Sequence, residues 1–100
     1  MPTLKNTSAR LVRLLRAPED TGVGLLALTS RRKTAFYVFK EVPCEIGGRG
    51  FVMHRLGLGP AYHVRVGRPD ECSCECLGYL RHGKCKHLQG LMALVGHRLI

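Results

Sequence analysis

Acidic residues and long apolar runs are both scarce in this chain of 100 residues. The chain has 7 Asp and Glu against 16 Lys and Arg, so its formal net charge at pH 7 is +9. No apolar stretch has the length that a bilayer span requires, and we therefore expect no membrane insertion. Residues 1–16 carry arginines among their apolar side chains, unlike the charged start and continuous apolar segment of a secretory signal.

Cysteine is present in an odd number, since the chain has 5 of them. Complete pairing into internal disulfides is therefore impossible, and without a secretory segment we expect an intracellular location, in the cytoplasm or in the nucleus or nucleoid. Catalytic patterns are also missing. No side chains resemble a nucleophile with its base, and Gly47–Gly50 is followed by neither the lysine–serine step nor the helix of a P-loop. The sequence predicts neither an enzyme nor a small-molecule substrate.

Four metal-binding side chains lie close together in the last third of the sequence. Cys74 and Cys76 form one pair, and Cys85 and His87 form a second pair after 8 intervening residues. Zinc prefers such sulfur and nitrogen ligands in a tetrahedron, at roughly 2.0–2.3 Å. In a strand, residues i and i+2 point to the same face, so both sulfurs of the first pair can reach one point. The spacing predicts a zinc site.

A helix is predicted directly after the second pair. Apolar residues recur there at spacings of three and four: Leu88, Leu91, Met92, Val95 and Leu99. His87 falls on the side of Leu91 and Leu94, so its ring should face inward. The segment between the two pairs is bounded by Gly78 and Gly83 and is expected to be a loop. Four protein ligands leave no open position for a catalytic water, so the zinc would be structural.

The segment Cys74-Glu75-Cys76-Leu77-Gly78-Tyr79, followed by Gly83-Lys84-Cys85-Lys86-His87-Leu88, resembles a SWIM-type zinc finger. The family pattern is CxC, a variable loop and CxH, with a glycine–aromatic step after the first pair. The resemblance covers roughly residues 60 to 98, with the finger itself at residues 70–98. It implies that Cys74, Cys76, Cys85 and His87 are the zinc ligands. Family members occur in chromatin remodellers, transposases, recombination mediators and some ubiquitin ligases, so the resemblance implies binding to nucleic acid or to protein.

Two further side chains near the motif are alternative ligands. Cys72 lies two residues before Cys74, so the first pair could shift to Cys72 and Cys74. The glycine–aromatic step favours the later pair. His82 lies between the pairs and is the other substitute. The sequence leaves both alternatives open.

The N-terminal residues are predicted to form a basic amphipathic helix over residues 1–18. Three leucines would share one face, and three arginines recur at every third position on the other: Leu11, Leu14 and Leu15; Arg10, Arg13 and Arg16. Pro18 and Gly22 would end the helix. We expect the leucines to dock on the rest of the domain and the arginines to remain available to a partner.

Residues 22–67 are predicted to form antiparallel strands. Strand-forming residues are grouped between turn signals at Ser30–Lys33, Gly47–Gly50 and Gly57–Pro60. Short strands with tight turns indicate an antiparallel meander. The predicted fold is therefore one α+β domain over residues 1–100, with an N-terminal helix, a small antiparallel meander and a C-terminal SWIM-like β-hairpin and helix unit.

The excess of positive charge favours anionic partners. Zinc with three thiolates changes the charge by about −1, so the metal-bound protein stays strongly basic. Two basic patches are candidates for phosphate contacts: Arg31, Arg32 and Lys33 in a turn, and Arg81, Lys84 and Lys86 beside the metal ligands. We expect a structural zinc domain that binds nucleic acid, with DNA favoured. The alternative is a protein-interaction adaptor or accessory subunit whose finger presents a surface to a protein partner.

Overall fold

The computed structural model describes residues 3–7, 10–19, 21–57 and 59–100. The described strands and helices are β1 (Thr3–Thr7), β2 (Arg10–Arg16), β3 (Val23–Ser30), β4 (Lys33–Val42), β5 (Arg49–Arg55), β6 (Ala61–Val66), β7 (Ser73–Cys74), α1 (Leu77–His82) and α2 (Lys86–Gly96). The strands form one 7-stranded antiparallel sheet in the order β1 to β7, so each strand pairs with its neighbours in sequence. A 3-10 turn at Pro69–Glu71 connects β6 to β7. Within these described ranges, no helix combines the length and the hydropathy of a membrane span.

The predicted N-terminal helix is wrong, and with it the α+β fold class. The described part of residues 1–18 contains the strands β1 and β2, and the chain has a small β-rich fold. Val12 and Leu14 are 0% and 2% exposed, whereas their neighbours Leu11 and Arg13 are exposed, which is the period of a strand. A register shift directly after Leu14 breaks the alternation, so the leucine spacing imitates that of a helix. The leucines and arginines thus fit both the period of a strand and that of a helix, and pairing with β3 selects the strand.

One face of the sheet carries the hydrophobic core. Its buried side chains come from alternate positions of five strands: Val12, Leu14, Leu26, Leu28, Tyr37, Phe39, Phe51, Met53, Val64 and Val66. Helix α2 covers this face with Leu88, Leu91 and Leu94, and it contacts β1, β2, β6 and β7. Gly90 permits the close approach, because a Cβ atom there would lie 2.7 Å from Cδ2 of Leu28. The helix therefore lies directly against the sheet.

Successive turns lie at alternate ends of the sheet, because every connection in a meander reverses the chain. The β3–β4 and β5–β6 turns share one end, and α2 begins there, since Lys86 and His87 border the same cavity as Gly59 and Pro60. We call this the finger end; its residues are 31–33, 55–57, 59, 60 and 84–87.

The opposite end, called the far end, contains the β2–β3 turn and residues 41–49 and 67–72. Helix α2 runs toward it, because the Nη1 of Arg49 donates a hydrogen bond to the carbonyl of Ile100 at 3.2 Å. The chain after α2 is thus fastened to the start of β5. The helix spans the sheet from the finger end to the far end.

Helix α1 occupies the segment that was expected to be a loop, so that prediction is wrong. Cys76 is its N-cap. Gly83 ends the helix in a left-handed conformation, with φ of 71°, and its N–H donates to the carbonyl of Tyr79. The two glycines of the motif thus have different roles, since Gly78 lies within the helix and Gly83 stops it.

Candidate metal centre and basic surface

Cys74, Cys76, Cys85 and His87 form a buried cluster that could hold a metal ion. One ligand atom from each residue lies within 4.8 Å of all the others. A tetrahedral site with metal–sulfur bonds of about 2.3 Å has edges of roughly 3.8 Å, so the four atoms already lie near the required spacing. Three sulfurs and one imidazole nitrogen are a donor set that suits a soft or borderline metal ion.

Two of the cysteines are also helix caps. The Sγ of Cys76 accepts the N–H of Tyr79 at 3.4 Å at the start of α1. The Sγ of Cys85 accepts the N–H of Leu88 at 3.4 Å at the start of α2. Backbone N–H groups at a helix N-terminus favour a negative charge. The sulfur of Cys85 is therefore placed where the thiolate, which is the form that binds a metal, is stabilised.

The pKa values of Cys74 and Cys85 depend on each other. The hydrogen bond with Cys74 lowers the pKa of Cys85 from 9.0 to about 4; burial opposes this shift, and hydrogen bonds with His87 and the Leu88 N–H add to it. The same bond to Cys85, followed by burial, raises the pKa of Cys74. Of the two sulfurs, that of Cys85 therefore ionises more readily. A cation held by both sulfurs would favour the thiolate form of both.

The ring of His87 is fixed between the cluster and the sheet. Its Nδ1 lies 4.0 Å from the Sγ of Cys74, while its Nε2 lies 3.2 Å from the hydroxyl of Tyr37 on β4. Tyr37 and Tyr62 also contact the ring, each with centroids 5.2 Å from that of His87. When Nδ1 binds a metal, Nε2 carries the proton and donates it to Tyr37. Sequence analysis missed Tyr37, because nothing in a strand 50 residues away signals this contact.

The two alternative ligands lie outside the cluster. The Sγ of Cys72 is 3.5 Å from the carbonyl of Gly67 and 3.4 Å from that of Arg68. His82 is exposed at the end of α1. The glycine–aromatic step favours Cys74 and Cys76 as the first pair, and these are the two cysteines that lie with Cys85 and His87 in the cluster.

Glu75 lies between two candidate ligands but turns away from them. Its Oε1 accepts the backbone N–H of His63 at 2.7 Å and lies 2.9 Å from Nδ1 of the same residue. These hydrogen bonds lower the pKa of Glu75. The carboxylate thereby fastens the Cys74–Cys76 segment to β6 and takes the place of a strand partner at this edge of the sheet.

Arg31 and Arg32 form the tip of the β3–β4 hairpin. Both are exposed and both have positive φ, 49° and 69°. Positive φ at both central positions is the condition for a type I′ turn, which asparagine and glycine occupy most easily. For residues with a long side chain, this conformation costs roughly 1–2 kcal/mol each. Lys33 follows as the exposed first residue of β4.

The second basic patch divides in the structure. Lys84 and Lys86 flank Cys85 and border a cavity beside the cluster, whereas Arg81 is exposed on α1 and does not border it. Arg55, the last residue of β5, borders an adjoining cavity with Lys86. Sequence analysis missed Arg55. The turn predicted at Gly57–Pro60 does indicate that Arg55 lies at one end of the sheet.

Carboxylates are unevenly distributed between the two ends of the sheet, whereas cations lie at both ends. Six cations lie at the finger end: Arg31, Arg32, Lys33, Arg55, Lys84 and Lys86. Five of the 6 acidic residues in the described ranges lie at the far end: Glu19, Glu41, Glu45, Asp70 and Glu71. The sixth, Glu75, is paired with His63. The described residues of the finger end include no carboxylate.

Comparison with models of known protein families, with curated proteins and with solved structures found no match for this chain. Its function is therefore inferred from the geometry and charge of the site.

Proposed function

We propose that this protein is a zinc-stabilised, SWIM-like domain that binds nucleic acid through the finger end of its sheet. The observation that carries the proposal is the uneven distribution of carboxylates. The described cations at the end where α2 begins have no carboxylate beside them, whereas at the other end cations such as Arg49 and Arg68 are paired with carboxylates. A polyanion is therefore attracted most strongly by the first surface, so the domain would bind with this end toward it.

The strained hairpin tip supports this proposal. Arg31 and Arg32 occupy positions where Asn-Gly would be more stable. Local rules are broken most often where a residue is needed for binding or chemistry. Two exposed arginines at the tip of a hairpin suit contacts with phosphate groups, because the guanidinium fork matches phosphate geometry.

Zinc is the metal ion that the donor set favours. Four protein ligands close the site, and tetrahedral sulfur-rich sites of this kind are structural. The metal would hold Cys85 between Lys84 and Lys86, and so hold both cations beside Arg55. The role proposed for the zinc is to fix the surface that meets the phosphates.

The test is fluorescence anisotropy of the zinc-loaded protein with labelled single-stranded and double-stranded DNA at several salt concentrations. With four to six phosphate contacts, the logarithm of the binding constant should fall with the logarithm of salt with a slope of about −3 to −5. The variant Arg31→Glu with Arg32→Glu should weaken binding. The matched control, Arg16→Glu with Lys40→Glu, reverses two exposed charges away from the finger end. Equal losses in both variants, or no binding at low salt, would contradict the proposal.

A second variant separates binding from stability at the same turn. Arg31→Asn with Arg32→Gly removes two cations and supplies the residues that a type I′ turn prefers. We expect the free energy of unfolding to rise by about 1 kcal/mol while the affinity for DNA falls. Thermal unfolding and anisotropy measure the two effects. A variant that is both more stable and equally tight in binding would show that the arginines at this tip are not used.

The adaptor function remains the second candidate, and one observation favours it. Three of the large apolar side chains nearest the finger are strongly exposed: Ile46 at 76%, Leu77 at 67% and Leu80 at 69%. Ile46 and Leu80 border a groove of about 640 Å³. Exposed apolar clusters are typical of protein interfaces. The variant Ile46→Ser with Leu80→Ser changes two side chains of this groove that do not border the cavity beside the cluster. It should leave DNA binding unchanged under the main proposal, and should abolish co-purification of a protein partner under this one.

A further inference from the structure

Two cavities adjoin at the finger end. One, of about 650 Å³, lies beside the metal cluster, and the other, of about 220 Å³, lies beside the β5–β6 turn. Both are bordered by Tyr62, Lys86 and His87, so they meet at these side chains. We call the combined recess the trough. It runs from Arg55 and Pro60 past Tyr62 to Lys84.

The trough is lined by cations without a matching anion. Arg55, Lys84 and Lys86 border it, and among the described residues none of the three is in an ion pair. In the part of the chain that the structure describes, no carboxylate borders either cavity. By contrast, Glu75 borders the groove on the other side of the finger, together with mostly apolar side chains. Of these recesses, the trough is thus the one that favours an anionic ligand.

An aromatic ring stands at the middle of the trough. Tyr62 is half-buried and borders both cavities. Its ring lies against that of His87 at an interplanar angle of 30°, which holds it in one orientation. Proteins that bind single strands combine a positively charged groove with aromatic side chains on which bases stack. The trough has both features within one recess.

We infer that the trough receives an unpaired base of a single-stranded nucleic acid, with Tyr62 beneath the base and Arg55, Lys84 and Lys86 at the flanking phosphates. This inference rests on the proposed function and adds the strandedness of the ligand. Bases within a duplex are stacked and present only their edges in the grooves, so they cannot enter a recess. Unstacked bases can enter and pack on aromatic rings. The hairpin tip at Arg31 and Arg32 then contacts the backbone further along the strand.

The experiment compares four variants of the zinc-loaded protein by anisotropy, with a labelled oligothymidylate of about 12 nucleotides and a duplex of the same length. We expect tighter binding to the single strand. Tyr62→Leu should weaken single-strand binding by roughly 10-fold, whereas Tyr62→Phe, which keeps the ring, should not. Arg55→Ala with Lys86→Ala should make the salt slope shallower by about 1.4, since each phosphate contact on a single strand contributes about 0.7. The matched control Arg16→Ala with Lys40→Ala should leave the slope unchanged.

Zinc content and circular dichroism are measured for each variant, so that a loss of fold is recognised. If the duplex binds as tightly as the single strand and Tyr62→Leu has no effect, the trough inference is wrong. If Arg31→Glu with Arg32→Glu weakens binding in that case and its matched control does not, the proposed function stands without the trough inference. If no oligonucleotide binds at low salt, both are wrong. A variant of Tyr62 that binds zinc normally and loses the single strand supports the trough.

Discussion

Removing the hydroxyl of Tyr37 should weaken metal binding without disturbing the core. The change is Tyr37→Phe, which keeps the ring that contacts His87 edge-on at 5.2 Å. The residue is only 1% exposed, so no solvent replaces the lost oxygen. The Nε2–H of a metal-bound His87 would then be buried without its acceptor.

The magnitude follows from the cost of an unpaired buried donor, which is about 1–3 kcal/mol. Each 1.4 kcal/mol changes an equilibrium constant by about 10-fold. Zinc affinity should therefore fall by roughly 10- to 100-fold, which is also the range found when a hydrogen-bond partner of a metal-binding histidine is removed. Burial raises the pKa of Tyr37, so the hydroxyl is neutral at the pH of the assay and available as an acceptor.

The assay is competition for zinc with a chromophoric chelator of known affinity. The matched control is Tyr62→Phe, because Tyr62 also stacks on His87 with centroids 5.2 Å apart. Among the described residues, its hydroxyl makes no hydrogen bond to that histidine, whereas the hydroxyl of Tyr37 does. Equal zinc affinities for Tyr37→Phe and the unmodified protein would refute the reasoning, as would an equal loss in both variants.

Three further predictions concern stability. Excess chelator should abolish the helical circular dichroism of the zinc-loaded protein, since the sulfurs of two candidate ligands, Cys76 and Cys85, cap α1 and α2. An unchanged spectrum after confirmed metal loss would count against this. Gly90→Ala should lower the free energy of unfolding by about 1–3 kcal/mol, measured by chemical denaturation, because its Cβ would crowd Leu28. In the control Gly96→Ala, the added Cβ would meet no atom within 4 Å, so the free energy of unfolding should be unchanged or rise by up to about 1 kcal/mol. Hydrogen bonding to Arg49 lowers the pKa of Glu41 below its ordinary value of 4.5. The ionised Glu41 therefore contributes to the stability of the folded state above pH 4.5, and this contribution is lost as the pH falls through the lowered pKa. The thermal midpoint of Glu41→Gln should accordingly lie below that of the unmodified protein at neutral pH and converge with it in acid; a constant difference would exclude the ion pair as its cause.

The cluster that could hold a metal ion was accessible from sequence because its signal is local. The spacing of Cys74, Cys76, Cys85 and His87 brings the four candidate ligands together through one strand end and two helix starts. The partner of His87 was not accessible, because Tyr37 reaches the site only through the order of strands in the sheet. The sequence also indicated a loop where Cys76 caps a helix, since glycine within a short segment favours a turn until a cap outweighs it.

The strands between residues 23 and 66 lie close to where turn residues and alternation placed them, because tight turns are encoded by a few neighbouring residues. The N-terminal segment was misassigned for the opposite reason. Seven residues of β2 carry leucine and arginine at spacings that satisfy two periods, and their structure depends on pairing with β3. The placement of cations at the finger end was equally hidden, since Arg31 and Arg55 lie toward the same end of the sheet only because successive turns alternate between ends.

The order of the strands has a consequence for how the chain folds. Each strand pairs with the next one in sequence, so the sheet can assemble through short-range closures, one hairpin after another. The contact between His87 and Tyr37 joins positions 50 residues apart, so it can form only after the C-terminal part of the chain is present. Before that closure, the face bearing Phe39 and Phe51 lacks its helical cover. Partly folded chains with exposed apolar faces aggregate readily. A metal ion bound at Cys85 and His87 would fix the start of α2 and thereby shorten the time for which this face is exposed.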